Sequence, residues 1–348
     1  MDAIVSHLSE SRNLRSINLS RNEALCTYFT QQTKPEVRLF PYVQDLDVSE
    51  CNLGEDAMKT FARMLSTTTT TTESDNHDSV ILRIASNPMG SRGAESLFSC
   101  LKSKRISELY VSNCDIGDEG LVHLVKACNS ASAASLEIID LASNNIGPEG
   151  LTSFATTLER ETDMLPSLKY ISIADNKFDN ESVQLFAGSV GKLQSSGAMH
   201  LEKLDITGVS CGVSGASDLI RLCQLRDLRL FNNNLGSEGF LAIAKTLKGG
   251  HPTLQYLDLG GNHAEEASVV SLLHALTLNA EPPFVNNLQT LVIGGNKGGP
   301  AVEDMVAQVL EKFPDMDIAR DKSKQQLNHP NNGMELPQGL SSIQSASD

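Results

Sequence analysis

The sequence is poor in positive charge and in long apolar runs. It has 28 Lys and Arg against 43 Asp and Glu, a formal net charge of −15. Nucleic acids and anionic membrane surfaces attract basic patches, so neither is expected to be the main partner. Because no run of about 18 apolar residues occurs, no membrane insertion is expected. The N-terminus lacks a basic region followed by a long apolar run, so we expect no signal peptide.

Cysteine pairs and catalytic motifs are missing as well. The seven cysteines include no C-x-x-C pair, which favours a reduced compartment, and we predict a cytoplasmic protein. The eight histidines form no H-E-x-x-H motif and have no zinc-like spacing to cysteine. The glycine-rich stretch 294–299 lacks the residue order of a phosphate-binding loop. We therefore predict no catalytic residue, no cofactor, no metal and no enzymatic activity.

One repeated pattern dominates the chain: an L-x-x-L-x-L block followed three residues later by asparagine, or in places cysteine. The clearest copy runs over 225–239, and a degenerate eleventh copy contains Phe313, Met316 and Ile318. One unit cannot bury its own apolar surface, so the copies must stack into a continuous solenoid. Ten copies, spaced 24 to 36 residues apart, begin at Leu14, Val43, Ser79, Ile106, Leu136, Leu168, Leu201, Leu225, Leu254 and Leu288.

The spacing also predicts the secondary structure of each copy. Alternating leucines indicate a short strand, and a mean interval near 30 residues leaves room for a full helix after it. Apolar stripes at helical spacing support this, as at Leu121, Leu124, Val125 and Cys128. Asp118 and Ser237, at the helix starts, are expected to cap their helices. Val209 replaces the asparagine in one copy, where we expect an irregular turn.

These motifs resemble the leucine-rich-repeat proteins of the ribonuclease-inhibitor type. The resemblance implies an α/β, right-handed solenoid shaped like a horseshoe, with a parallel concave sheet, convex helices and about 10–11 repeats. We assign residues 1–320 to this domain, with a mobile threonine-rich loop at 66–79, and 321–348 to a disordered tail. Ile4, Val5 and Leu8 resemble the end of a repeat helix with no polar cap before it. This open end either binds something, once followed another domain or reflects a truncated chain.

The strand residues between the leucines should face the concave surface, where a partner would bind. Asp45 and Asp47 form an acidic spot near one end. The chain has only 11 Phe and 5 Tyr, so aromatic residues among these positions are informative. Exposed aromatics flanked by carboxylates are typical of binding hot spots, although such residues can also be ordinary solvated strand positions. The predicted protein-binding residues are Tyr170, Asp205, Asp227, Arg229, Phe231, Tyr256 and Asp258.

We predict a non-catalytic scaffold whose concave face binds a protein partner with a basic surface. One alternative is regulation of a Ran-like small GTPase, because the repeats are similar to those of Ran GTPase-activating proteins. The tail departs from that family, which usually has a strongly acidic C-terminal stretch. A second alternative is a CARMIL-type actin regulator, which resembles this chain in its uneven repeats and its Leu19–Asn22 sequence LSRN. Those proteins bind capping protein through a segment without a counterpart here.

Overall fold

The computed structural model describes residues 2–32, 39–66, 79–102, 106–128, 135–161, 163–248, 252–278 and 287–320. Within these ranges, strands and helices alternate. The strands are β1 (Ser16–Asn18), β2 (Asp45–Asp47), β3 (Val80–Arg83), β4 (Ile106–Tyr110), β5 (Ile138–Asp140), β6 (Tyr170–Ser172), β7 (Lys203–Asp205), β8 (Asp227–Arg229), β9 (Tyr256–Asp258), β10 (Thr290–Val292) and β11 (Asp317–Ala319). The helices are α1 (Asp2–Glu10), α2 (Ala24–Gln31), α3 (Glu55–Ser66), α4 (Gly90–Phe98), α5 (Gly117–Cys128), α6 (Pro148–Arg160), α7 (Asn180–Ser196), α8 (Gly212–Leu222), α9 (Gly236–Leu247), α10 (Glu266–Leu278) and α11 (Pro300–Lys312).

The strands form one parallel sheet in sequence order, from β1 to β11. Each strand pairs in parallel with the next, so equivalent positions of successive repeats stand side by side. This confirms the predicted repeat architecture, including the degenerate eleventh copy, whose Met316 and Ile318 are buried. Each column of the sequence pattern therefore becomes a row of side chains across the sheet.

The core lies between the sheet and the helices. The predicted stripe of Leu121, Leu124, Val125 and Cys128 is buried along α5, and neighbouring helices pack side by side. Burial of such apolar surface is the main source of stability, at roughly 25 cal/mol per Å². The aliphatic residue that each strand contributes to this core is Ile17, Leu46, Leu82, Leu109, Ile139, Ile171, Leu204, Leu228, Leu257, Leu291 or Ile318.

The asparagines form a buried hydrogen-bonded row beyond the strand ends. The Asn144 side chain accepts from the Cys114 backbone N–H at 3.0 Å and donates to the Val111 carbonyl at 2.8 Å. It thus satisfies backbone groups of the preceding repeat that have no ladder partner. At Cys51 the thiol takes the place of the asparagine amide as the hydrogen-bond donor, since its Sγ lies 3.2 Å from the Leu19 carbonyl oxygen.

The expectation of an irregular turn at Val209 is wrong. Gly208 and Ser210 have φ values of 68° and 58°, and the residues flanking Asn144, Ser143 and Asn145, have 56° and 57°. The Val209 N–H donates to Asn233 Oδ1 at 3.3 Å, as other members of the column do to their neighbours. The Asn233 side chain of the next repeat therefore stabilises this turn. The isopropyl group of valine, which cannot hydrogen-bond, fills the buried position instead.

The predicted capping residues act on a different helix from the one expected. Asp118 Oδ1 accepts from the Gly147 N–H at 2.6 Å, immediately before α6. Ser237 Oγ accepts from the Glu265 N–H at 3.1 Å, immediately before α10. Each side chain thus stabilises the start of the helix in the following repeat. Helix capping in these repeats therefore also connects each repeat to the next one.

Two predicted segments fall outside the described residues: nearly all of the threonine-rich loop and the whole C-terminal tail. Among the helices that the structure describes, none combines the length and apolar character needed to cross a membrane.

Candidate protein-binding surface

Six of the seven predicted residues lie on four adjacent strands, β6 to β9, and Phe231 follows the end of β8 by two residues. In the strand register, Arg229 stands between Asp205 on one side and Asp258 on the other. Asp227 is two residues earlier on the same strand, beside Tyr256. We call Asp205, Asp227, Arg229, Tyr256 and Asp258 the second cluster. A first cluster, nearer the N-terminus, is described below. Tyr170 and the exposed Lys203 lie at its border, side by side in the register.

Arg229 is the centre of the second cluster. Its Nε lies 3.3 Å from Asp227 Oδ1, and its guanidinium carbon lies 5.5 Å from the centroid of the Tyr256 ring. Both ends of the ion pair are mostly shielded, with 21% of the Arg229 side chain and 14% of the Asp227 side chain exposed. An ion pair and a cation–π contact at partial burial hold the guanidinium in one orientation.

Two aspartates of the second cluster are more deeply buried than expected for a concave surface. Asp205 is 1% exposed and Asp258 is 7% exposed. Each carboxylate also accepts a hydrogen bond from the backbone N–H two residues later, Thr207 at 3.0 Å and Gly260 at 2.8 Å. These Asx turns cap the strand ends, so both residues have a structural role as well as a place on the predicted surface.

The pKa values of the second cluster reflect the burial of its charged groups and their closeness to one another. Burial is the main reason that the pKa of Asp258 rises from 3.8 to about 6, with the charge of Asp205 contributing and that of Arg229 opposing. Burial, followed by the charge of Asp258, raises the pKa of Tyr256 to about 12. For Arg229, burial acts to lower the pKa, but the charge and hydrogen bond of Asp227 outweigh it and the pKa is raised. Arg229 therefore stays charged, and the carboxylates of the second cluster share its single positive charge.

Tyr170 carries an unsatisfied group. Within the described ranges its buried hydroxyl has no hydrogen-bond partner of good geometry, although Ser172 lies close enough to affect its titration. Burial, then the charges of Asp205 and Asp140, raise its pKa. A buried hydroxyl normally has a partner, so this one is an exception among the buried polar groups of the described residues.

Phe231 lies at the edge of the cluster and is half-buried. Its ring covers the Cα of Gly261, since a Cβ added there would lie 2.9 Å from the Phe231 Cε2. Gly261 has a φ of 64°, a left-handed conformation that glycine adopts without strain. The aromatic ring is thus fixed by the turn of the next repeat.

A similar cluster on β2 to β4 was only partly predicted. The Arg83 guanidinium pairs with Asp45 and lies 5.3 Å from the centroid of the Tyr110 ring. The Tyr110 hydroxyl donates to Glu108 Oε2 at 2.8 Å, and Asp47 is the register neighbour of Arg83. We call these five residues the first cluster. The sequence pattern predicted only the two aspartates of this cluster; the other three residues occupy the same outward-facing columns as those of the second cluster.

The two clusters give this surface a mixed aromatic and charged character. It offers tyrosine rings, fixed arginines and carboxylates. Within the described part of the chain, no group of three His, Cys, Asp or Glu side chains could hold a metal ion.

Comparisons with known proteins agree with the repeat architecture. The family profile "Leucine Rich repeat" matches residues 106–125, 132–155 and 222–244. The mouse ribonuclease inhibitor is 25% identical over 300 residues, covering 77% of this chain and 60% of that protein. The pig ribonuclease inhibitor is 26% identical over 271 residues, covering 68% and 56%. The chain thus spans about three fifths of the length of these relatives.

Among solved structures, a chain in the crystal structure of the Rad7 and Elc1 complex in yeast is similar over 92% of this chain and 85% of that one. Its TM-score is 0.41 and its sequence identity is 15%.

The parallel sheet, its flanking helices and the asparagine row define a leucine-rich-repeat solenoid. The chain therefore has the leucine-rich-repeat fold, and its repeats are similar to those of the ribonuclease inhibitors. Proteins of this class generally mediate protein–protein interaction.

Proposed function

We propose that this protein is a non-catalytic cytoplasmic scaffold that binds a protein partner through its concave sheet. The observation that carries this proposal is the second cluster, in which Arg229 is fixed between Asp227 and Tyr256 on adjacent strands. Neighbouring Tyr170 and Phe231 add half-buried aromatic surface. Ordered aromatic and charged groups of this kind lose little conformational freedom on binding and are therefore favoured at binding hot spots.

Charge supports a partner with a basic surface. Asp205, Asp227 and Asp258 surround a single arginine, so the second cluster keeps an excess of negative charge. A lysine or arginine of a partner placed over the second cluster would offset that excess electrostatically. The overall charge of −15 adds attraction at long range.

The proposal is tested by quantitative affinity capture from the source cells. The wild type is compared with a concave double variant, Phe231→Ala with Tyr256→Ala. The matched control is Leu185→Ala with Leu241→Ala, which truncates two exposed leucines on the convex helices. We expect a defined set of captured proteins to be lost with the concave variant and kept with the control. Equal capture by all three proteins would contradict concave-face binding.

The alternatives drawn from resemblance stay predictions. A single-turnover measurement of GTP hydrolysis on Ran, with and without this protein, addresses the GTPase alternative. An unchanged hydrolysis rate would remove it. Calorimetry with purified actin capping protein addresses the CARMIL-like alternative. The absence of binding would remove it.

A further inference from the structure

The first and second clusters contain the same kinds of residue. In each, an arginine in the same strand column lies over a tyrosine ring, at 5.3 Å for Arg83 and 5.5 Å for Arg229. In each, a carboxylate of the protein's own sheet pairs with that arginine, Asp45 in the first and Asp227 in the second. Both arginines are therefore held internally and are poorly placed to capture carboxylates of a partner.

The residual charge of the two clusters is also the same. The first cluster contains Asp45, Asp47 and Glu108 against Arg83, and the second contains three aspartates against Arg229. Each cluster thus has one arginine for three carboxylates. Even with Lys203 counted at its border, the second cluster stays negative.

Their separation follows from the sheet order. Five strand spacings lie between β3 and β8, and at about 4.8 Å per spacing the two arginines are roughly 24 Å apart along the sheet. The intervening strands carry Ile138, Tyr170 and the deeply buried Asp140 on the same face. The face between the clusters therefore carries one more buried carboxylate and one exposed cation, Lys203, at the border of the second cluster.

We propose that the two clusters bind one partner at two points, each taking a cationic patch of the same protein, with the patches roughly 24 Å apart. This inference rests on the proposed function and adds the first cluster, the cationic chemistry of both contacts and their spacing. Two weak contacts on one rigid sheet raise affinity because the second binding event becomes intramolecular. A partner with a single basic patch would lack this gain, so the spacing would also select the partner.

The test uses a defined probe. It is a labelled peptide with two tetralysine segments joined by a Gly/Ser linker of about 20 residues, whose average span of about 22–27 Å matches the clusters. A peptide with one tetralysine segment is the monovalent reference. Fluorescence anisotropy at low ionic strength gives both dissociation constants, since screening by salt would mask these contacts.

The protein variants remove charge while keeping the folded contacts. Asp47→Asn with Glu108→Gln neutralises the first cluster. Asp205→Asn with Asp258→Asn neutralises the second, because asparagine can still accept the backbone hydrogen bond of an Asx turn. Neither pair touches the carboxylate bound to the arginine. The control, Asp304→Asn with Glu311→Gln, removes two charges from exposed positions on the convex helix α11.

We expect the two-segment peptide to bind the wild type at least tenfold more tightly than the one-segment peptide. Neutralising either cluster should abolish that gain, and the control should change affinity less than twofold. If only the second-cluster variant weakens binding, the two-point inference is overturned and the proposed function stands. If both cluster variants behave like the control, or if neither peptide binds, the cationic chemistry of both proposals is overturned.

Discussion

The guanidinium carbon of Arg229 lies 5.5 Å from the centroid of the Tyr256 ring, one strand away on the same face of the sheet. The contact joins two successive repeats, because the residues belong to β8 and β9. Asp227 pairs with the same guanidinium, so one side chain is held from two sides. Arg229 consequently serves both the stability of the sheet and the shape of the concave face.

Replacing Arg229 with glutamine should destabilise the fold. The change leaves Asp205, Asp227 and Asp258 close together without their shared counter-charge, and partly buried uncompensated charges are costly. We expect the free energy of unfolding at pH 7 to fall by about 1–3 kcal/mol, measured by urea denaturation. Arg226→Gln is the control, because the Arg226 pair with Glu202 is 3.8 Å long and its side chain is 57% exposed. Its cost should stay within about 0.5 kcal/mol, and equal costs would contradict the central role of Arg229.

The sequence predicted the repeat architecture because the leucine spacing is a direct consequence of packing. It predicted which side chains share the concave face for the same reason, since strand residues alternate. It did not predict that Asp205 and Asp258 would be buried. Alternation along a strand indicates which face of the sheet a residue occupies. How deeply the residue is buried depends on the side chains of the neighbouring strands. Those neighbours, such as Arg229, are brought alongside only by the register.

Asp258 should make stability depend on pH. Its pKa is about 6 in the folded protein and 3.8 in the unfolded reference, with burial as the main cause. Because the folded pKa is raised, this group favours folding below about pH 4, and its contribution is lost as the pH rises through 6. Asp258→Asn removes the ionisation and can keep the hydrogen bond from Gly260. We expect the variant to be more stable than the wild type by about 1–3 kcal/mol at pH 8, with a smaller difference at pH 5.

Thermal unfolding midpoints at several pH values between 5 and 8 check this prediction. Asp258→Ala is the companion variant, because it removes both the charge and the Asx-turn acceptor. It should be less stable than Asp258→Asn at every pH, by about 1 kcal/mol. A wild-type-to-asparagine difference that is constant with pH would contradict the raised pKa.

The asparagine row should be costly to interrupt. Asn144→Ala removes the acceptor for the Cys114 N–H and the donor to the Val111 carbonyl, and leaves these buried groups without partners. We expect a loss of about 2–4 kcal/mol in urea unfolding. Asn144→Cys should lose less, since the Cys51 and Cys114 thiols already donate to carbonyls at equivalent positions.

Val209→Ala is the matched control for the asparagine row. It shortens a buried side chain in the same column but deletes no side-chain hydrogen bond, so it reports the packing loss alone. Its cost should be about 1–2 kcal/mol and smaller than that of Asn144→Ala. The regular turn at Val209 explains why this position tolerates valine: the Asn233 side chain of the next repeat accepts its N–H. Sequence alone could not show that the hydrogen bonds run between repeats, and the same is true of helix capping by Asp118.

The contact between Phe231 and Gly261 should be detectable by a double-mutant cycle. A Cβ at Gly261 would lie 2.9 Å from the Phe231 ring, and the residue also has a φ of 64°. Gly236 has a φ of 60° and nothing within 4 Å of the added Cβ, so Gly236→Ala measures backbone strain alone, at about 1–2 kcal/mol. Gly261→Ala should cost about 1–2 kcal/mol more, because the ring must move. In a Phe231→Ala background the two glycine substitutions should cost the same in urea unfolding. A persistent difference would mean that Phe231 does not pack on this turn, and its place on the binding surface would have to be reassigned.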